Sequence, residues 1–153
     1  MLKRFIENLL GTPGGGAPSS TIRLPLATCV VLVEAARADD SFTEEERSHI
    51  IQTLQQHFAL TEEEANELLS EASRASQESV GLFRFTHAIN EGFTPEEKRR
   101  VIEEVWRIFY SDGTLTGHED HLAHHLGKLL NLNHPQLMEA KMRVLQEARQ
   151  QGN

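Results

Sequence analysis

The sequence predicts an all-α domain: a compact bundle of about seven helices built from two pseudo-equivalent helix-loop-helix halves, plus a short N-terminal helix. Three observations predict it. Apolar residues recur at helical spacing along the chain, and no segment sustains the period-two alternation of a strand. Four segments open with the same signature, Thr43-x-x-Glu46, Thr61-x-x-Glu64, Thr94-Pro95-x-Glu97 and Thr116-x-x-Glu119. Each matches a capping box, in which Thr and Glu satisfy the orphan amides of a helix start. One acidic pattern occurs twice, as Asp39-x-x-Phe42-Thr43-x-x-Glu46 and Asp112-x-x-Leu115-Thr116-x-x-Glu119, each copy preceded by an apolar segment and followed by an amphipathic one.

Taken in order, Met1 to Leu10 places Leu2, Phe5, Ile6 and Leu9 on one helical face beside Lys3 and Arg4. This segment (1–10) is expected to be an amphipathic helix that docks on the domain, with weak membrane-surface contact as the other reading. Residues 11–20 hold four glycines, two prolines and two serines, the composition of a linker. The domain is expected over 21–149. Ile22 to Ala38 is apolar on nearly every face, as a central helix requires. Further helices are expected near 43–58, 61–76, 79–91, 95–111, 116–130 and 134–149, with Pro95 well suited to a first helical position. Leu82, Phe83, Phe85 and Ile89 equip the helix between the repeats to pack across their junction. Beyond the acidic pattern, Ile50, Leu54, Phe58 and Leu60 correspond to Leu122, Leu126, Leu130 and Leu132 once the register slips by one residue.

A chain of 153 residues can bury about 70% of its unfolded surface, enough for one domain with a real core. Its formal charge of −8 argues against a phosphate-backbone surface, so nucleic acid is not an expected partner. The single cysteine, Cys29, lies in the apolar run Leu26 to Val33 and reads as a small buried hydrophobe. A reducing, cytoplasmic setting is expected. The longest charge-poor run, Leu24 to Val33, is far shorter than the roughly 20 residues that span a bilayer.

The repeated acids carry the chemistry. Glu46 lies on the stripe of Ile50 and Leu54, and Glu119 on that of Leu122 and Leu126, while Asp39 and Asp112 continue the inward stripes of the helices before them. Apart from His49, no base stands three or four residues from any of the four. Two carboxylates about 5 Å apart at an effective dielectric near 20 repel by roughly 3 kcal/mol. The group must therefore bind a cation, take up protons or meet distant bases such as Arg37, Arg107 or Lys128. Asp39, Glu46, Asp112 and Glu119 are accordingly the candidate metal ligands, and an all-oxygen set suits Ca²⁺, Mg²⁺ or Mn²⁺. The bland alternative is that the glutamates only complete capping boxes and the aspartates only form turns. An EF-hand is excluded, because Asp and Glu stand seven apart and the intervening acidic ligands are missing.

His118, His121, His124 and His125 form a second cluster that reads either as a solvated polar face or as a zinc or nickel set, with His118 best placed to assist the acids. No Gly-x-Ser-x-Gly elbow, P-loop or dinucleotide-binding glycine pattern occurs, so no catalytic residue is assigned and no enzyme activity is expected; the third reading, a hydrolase, would have to be metal-assisted.

The Ala38-Asp39-Asp40-Ser41-Phe42-Thr43-x-x-Glu46 stretch resembles the TerB-like tellurite-resistance family. So do the Leu82-Phe83-Arg84-Phe85-Thr86 helix with Asn90, the Thr94-Pro95-Glu96-Glu97-Lys98-Arg99 helix start, and Tyr110-Ser111-Asp112-Gly113-Thr114-Leu115 through Glu119. The likeness covers about Leu24 to Leu145; Asp40 stands where the family usually shows Gly, which leaves the acids in place. The resemblance implies a compact helical domain of two similar halves. It also implies divalent-metal ligation at Asp39, Glu46, Asp112 and Glu119 in a cytoplasmic protein of tellurite and stress responses. A non-enzymatic metal-binding module with a protein partner is the expectation, and a metal-free protein-interaction domain the alternative.

Overall fold

The computed structural model describes residues 23–38, 42–78, 81–111 and 114–151. Over these the chain forms α1 (Leu24–Ala36), α2 (Glu44–Phe58), α3 (Glu62–Glu78), α4 (Phe83–Gly92), α5 (Pro95–Phe109), α6 (Gly117–Leu129) and α7 (His134–Gln151), with no strand among the described residues. The helix and linker expected at 1–10 and 11–20 lie outside the described residues.

Two helices organise the rest. α1 has Pro25 in its first turn and runs through Leu26, Ala27, Cys29, Val30, Val31, Leu32 and Val33, all buried. It packs against α2, α3, α4 and α5, which is why its sequence shows no polar face. Burial pushes the Cys29 thiol far up, so the sulfur stays protonated and inert. α5 packs against α1, α2, α6 and α7 and buries Val101, Ile102, Val105, Trp106, Ile108 and Phe109. Trp106 meets Phe109 edge to face at 6.2 Å, and its Nε1 donates to the Leu137 carbonyl at 3.3 Å, pinning α7 to α5.

The halves are α1–α2–α3 and α5–α6–α7, with α4 packed against both α1 and α6. Their equivalence is geometric as well as sequential. α2 and α6 are each closed near the end by one left-handed residue, Ala59 at φ 54° and Asn131 at φ 59°. These two stand 72 positions apart, whereas Thr43 and Thr116 stand 73 apart, so the one-residue slip falls within α2 and α6. All four expected capping boxes form. A fifth reciprocal cap opens α7, where Asn133 N donates to Gln136 Oε1 and Gln136 N to Asn133 Oδ1, both at 2.9 Å. It is the structural counterpart of Thr61 and Glu64, written in amides.

The junction helix differs from expectation at its start. α4 begins at Phe83, later than the expected residue 79, after Gly81 and Leu82; Leu82 supplies no side-chain cap. Glycine is a poor helix former and Leu82 supplies no capping side chain, so the helix does not run back through Gly81. At its other end Asn90 Nδ2 donates to the Leu129 carbonyl at 2.8 Å, while Asn90 Oδ1 accepts from Lys98 Nζ at 3.3 Å. This relay closes the C-terminus of α6 with donors and a buried cation, the favourable polarity for a helix end.

Candidate metal centre

Each acidic copy sits at the exit of a central helix. α1 stops at Arg37 (φ −89°, ψ 1°) and α5 at Tyr110 (φ −91°, ψ 5°), with the same pattern of cap hydrogen bonds to the carbonyls of the last turn. Six residues on, the next helix opens at Thr43 (φ −79°, ψ 161°) and at Thr116 (φ −83°, ψ 161°). In the first copy Thr43 N donates to Glu46 Oε1 at 2.9 Å and Glu46 N to Thr43 Oγ1 at 3.1 Å. In the second, Thr116 N donates to Glu119 Oε1 at 3.0 Å and Glu119 N to Thr116 Oγ1 at 3.1 Å.

Burial separates these boxes from the others. Glu46 is 5% exposed and Glu119 3%, whereas Glu97 in an identical box is exposed and Glu64 half-buried. Capping therefore does not demand burial; the inward stripes of α2 and α6 impose it. Glu119 spends Oε1 on its cap, and its Oε2 accepts no hydrogen bond from any described residue. Both glutamates also lie in the first helical turn, where the helix dipole favours negative charge. Asp39 and Asp112, the other candidate ligands, lie outside the described residues. Among the described residues no three His, Cys, Asp or Glu side chains gather as a group able to hold an ion.

Two of the three distant bases expected to compensate these acids, Arg37 and Arg107, are engaged elsewhere. Arg37 donates to Ser76 Oγ at 3.4 Å, and that hydroxyl bonds Glu34, which ties α1 to α3. Lys128 is exposed. Arg107 holds Glu147 in a two-pronged contact at 2.9 and 2.8 Å, bonds Glu104 and stands 3.5 Å from Glu103. Arg143 reaches Glu103 at 3.3 Å. His49, the one local base near Glu46, has Nε2 2.7 Å from Glu104 Oε2, a close contact that is not aligned as a hydrogen bond. Thr53 Oγ1 donates to the same oxygen at 2.8 Å.

Glu104 is thus the centre of a buried network joining α2, α5 and α7. Burial alone would raise its carboxyl, but the His49 contact, the Arg107 guanidinium and the Thr53 hydroxyl outweigh it and hold the group below the ordinary carboxylate range. Burial likewise acts to lower Arg107, and its bonds to Glu147 with the charges of Glu104, Glu147 and Glu103 more than reverse that. Sequence reasoning missed this network. The available signal was Glu103-Glu104 set directly between the apolar Val101-Ile102 and Val105-Trp106 pairs.

The histidine cluster reads as a polar face. His118, His121 and His125 are exposed, and the half-buried His124 places Nδ1 2.9 Å from the Asp120 carbonyl and stacks on His134 at 5.9 Å. Among the described residues these histidines gather in no group able to hold an ion.

The model of the family described as "Tellurite resistance protein TerB" matches residues 25–142. The chain belongs to the TerB family. No curated protein and no solved structure matches it. The match begins inside α1 and ends inside α7, so the TerB domain takes in both acidic turns and all seven described helices in whole or part. No helix among the described residues is long and apolar enough to cross a membrane.

Proposed function

We propose that this TerB domain is a non-enzymatic, divalent-cation-binding helical module of the tellurite and stress-response type, acting through a protein partner in the cytoplasm. The observation that carries this reading is the burial of Glu46 and Glu119, matched in both halves and unmatched at the other Thr-x-x-Glu caps. A glutamate needed only for a cap can stay in water, as Glu97 does. Burying it costs desolvation that a cation would offset. Glu119 also keeps one oxygen uncommitted to the described residues, so the donor chemistry fits a hard ion. Asp39, Glu46, Asp112 and Glu119 would hold it, and the bound ion would supply positive charge joining the two halves. The chain's own contribution is to present the glutamates from capped, rigid helix starts.

A thermal-shift titration with Ca²⁺ or Mn²⁺ tests this. An ion that binds only the folded state at 100 times its Kd adds about 2.7 kcal/mol, which raises Tm measurably. The double variant Asp112→Asn/Glu119→Gln is expected to lose that rise, since glutamine preserves a capping box while giving up the charge. One observation favours the alternative, a metal-free interaction domain whose acids are caps: the capping bonds of Glu46 and Glu119 are complete in both copies. On that reading the double variant and the parent respond to the ion alike.

A further inference from the structure

We propose that the C-terminal half of α7, from Lys141 onward, is an electrostatic strap that opens and closes over Trp106 of α5 while the first half of the helix stays anchored, an inference independent of the ion reading. The two halves are held by different forces. The first buries Leu137 and Ala140, receives the Trp106 Nε1 bond on the Leu137 carbonyl and is capped by Asn133 and Gln136. Among residues 141–150, by contrast, Val144 is the one buried side chain.

Charge holds the second half, through a ladder that starts at Glu139. Arg99, Glu103 and Arg107 of α5 stand opposite Glu139, Arg143 and Glu147 of α7, at 3.6, 3.3 and 2.8 Å, and each pair is 40 positions apart. The constant offset means that the two helices run side by side in the same direction, and the sign of charge reverses at every rung. A slip of α7 by one turn either way sets like against like: Arg143 meets Arg99 and Glu147 meets Glu103, or Glu139 meets Glu103 and Arg143 meets Arg107. The ladder thus allows one seated register, and the alternative to it is release. Lys141 completes the closed state by placing Nζ 5.3 Å from the centre of the Trp106 ring.

Release strands no buried charge on α5. Arg107 keeps Glu104 and, 3.5 Å away, Glu103, so both acids remain paired when the strap leaves. On the strap, Arg143 and Glu147 are already 50% and 41% exposed, where salt screens an ion pair strongly. Opening uncovers Trp106, which is wholly buried in the closed state and is the only tryptophan of the chain.

Acrylamide quenching of Trp106 fluorescence in the full chain tests the proposal. The quenching constant is expected to rise about fivefold between about 0.01 and 1 M NaCl, as the Debye length falls from about 30 to 3 Å, with no loss of far-ultraviolet helix signal. Arg143→Gln/Glu147→Gln, which removes two charges and no buried side chain, is expected to show the high-salt value already at low salt. Hydrogen exchange in the parent locates the motion: amides of residues 144–149 should exchange about fivefold faster in high salt, and those of 137–140 at an unchanged rate. Quenching indifferent to salt overturns the proposal, as does a variant that quenches like the parent at low salt, or an equal acceleration of exchange in both halves of α7.

Discussion

Glu104 shows how one side chain can hold three helices, because it meets His49 and Thr53 of α2 and Arg107 of its own helix, which in turn grips Glu147 of α7. Glu104→Ala removes the acceptor shared by His49, Thr53 and Arg107, while Arg107 keeps Glu147 and Glu103, and is expected to cost about 1–3 kcal/mol in urea denaturation. The pH dependence follows from the lowered carboxyl. Its stabilisation is complete above the ordinary carboxylate value of 4.5 and fades as pH falls through the lower folded value. Glu104→Gln is therefore expected to flatten the acid limb of the stability profile. At Glu119 the charge and the cap separate: Glu119→Gln should keep the domain's stability within about 0.5 kcal/mol, whereas Glu119→Ala should lose about 1 kcal/mol with the cap. The inward placement of Glu46 and Glu119 was legible from their spacing to Ile50, Leu54, Leu122 and Leu126. The role of Glu104 was not, because its partners His49 and Thr53 lie 55 and 51 positions away and only the packed helices bring them together.

The helices were legible where local chemistry decides. Four Thr-x-x-Glu boxes mark four starts, and the bonds in the structure are those the boxes predict. α4 was legible in its apolar residues but not in its start, since neither Gly81 nor Leu82 caps it with a side chain. The ends of α2 and α6 carry a sharper expectation. Ala59 adopts φ 54°, a left-handed conformation in which a Cβ is strained and glycine is not. Ala59→Gly is expected to stabilise the domain by about 0.5–1 kcal/mol in chemical denaturation. Asn131→Gly, at φ 59°, should gain less, because asparagine tolerates this region.

At the scale of the molecule, the two-half plan was written in the repeated acidic pattern and in the apolar run Leu26 to Val33 of α1, which suits a surrounded helix. The break in that plan was not. The position equivalent to Glu104 in the first half is Val31, buried in the core, and that of Arg107 is Glu34, which ties to Ser76. One half thus anchors its outer helix with a two-pronged salt bridge and the other through a hydroxyl. Against this asymmetry the helix ends that flank the two acidic turns keep matching dihedral angles and matching caps, and Glu46 and Glu119 matching burial. Such matching is the expected result if both turns serve one ion. Paramagnetic broadening of backbone amides by sub-stoichiometric Mn²⁺ tests that claim most directly. The account predicts selective loss of the signals of residues 43–47 and 116–120 together, abolished in Asp112→Asn/Glu119→Gln; broadening confined to one turn, or none at millimolar Mn²⁺, would contradict it.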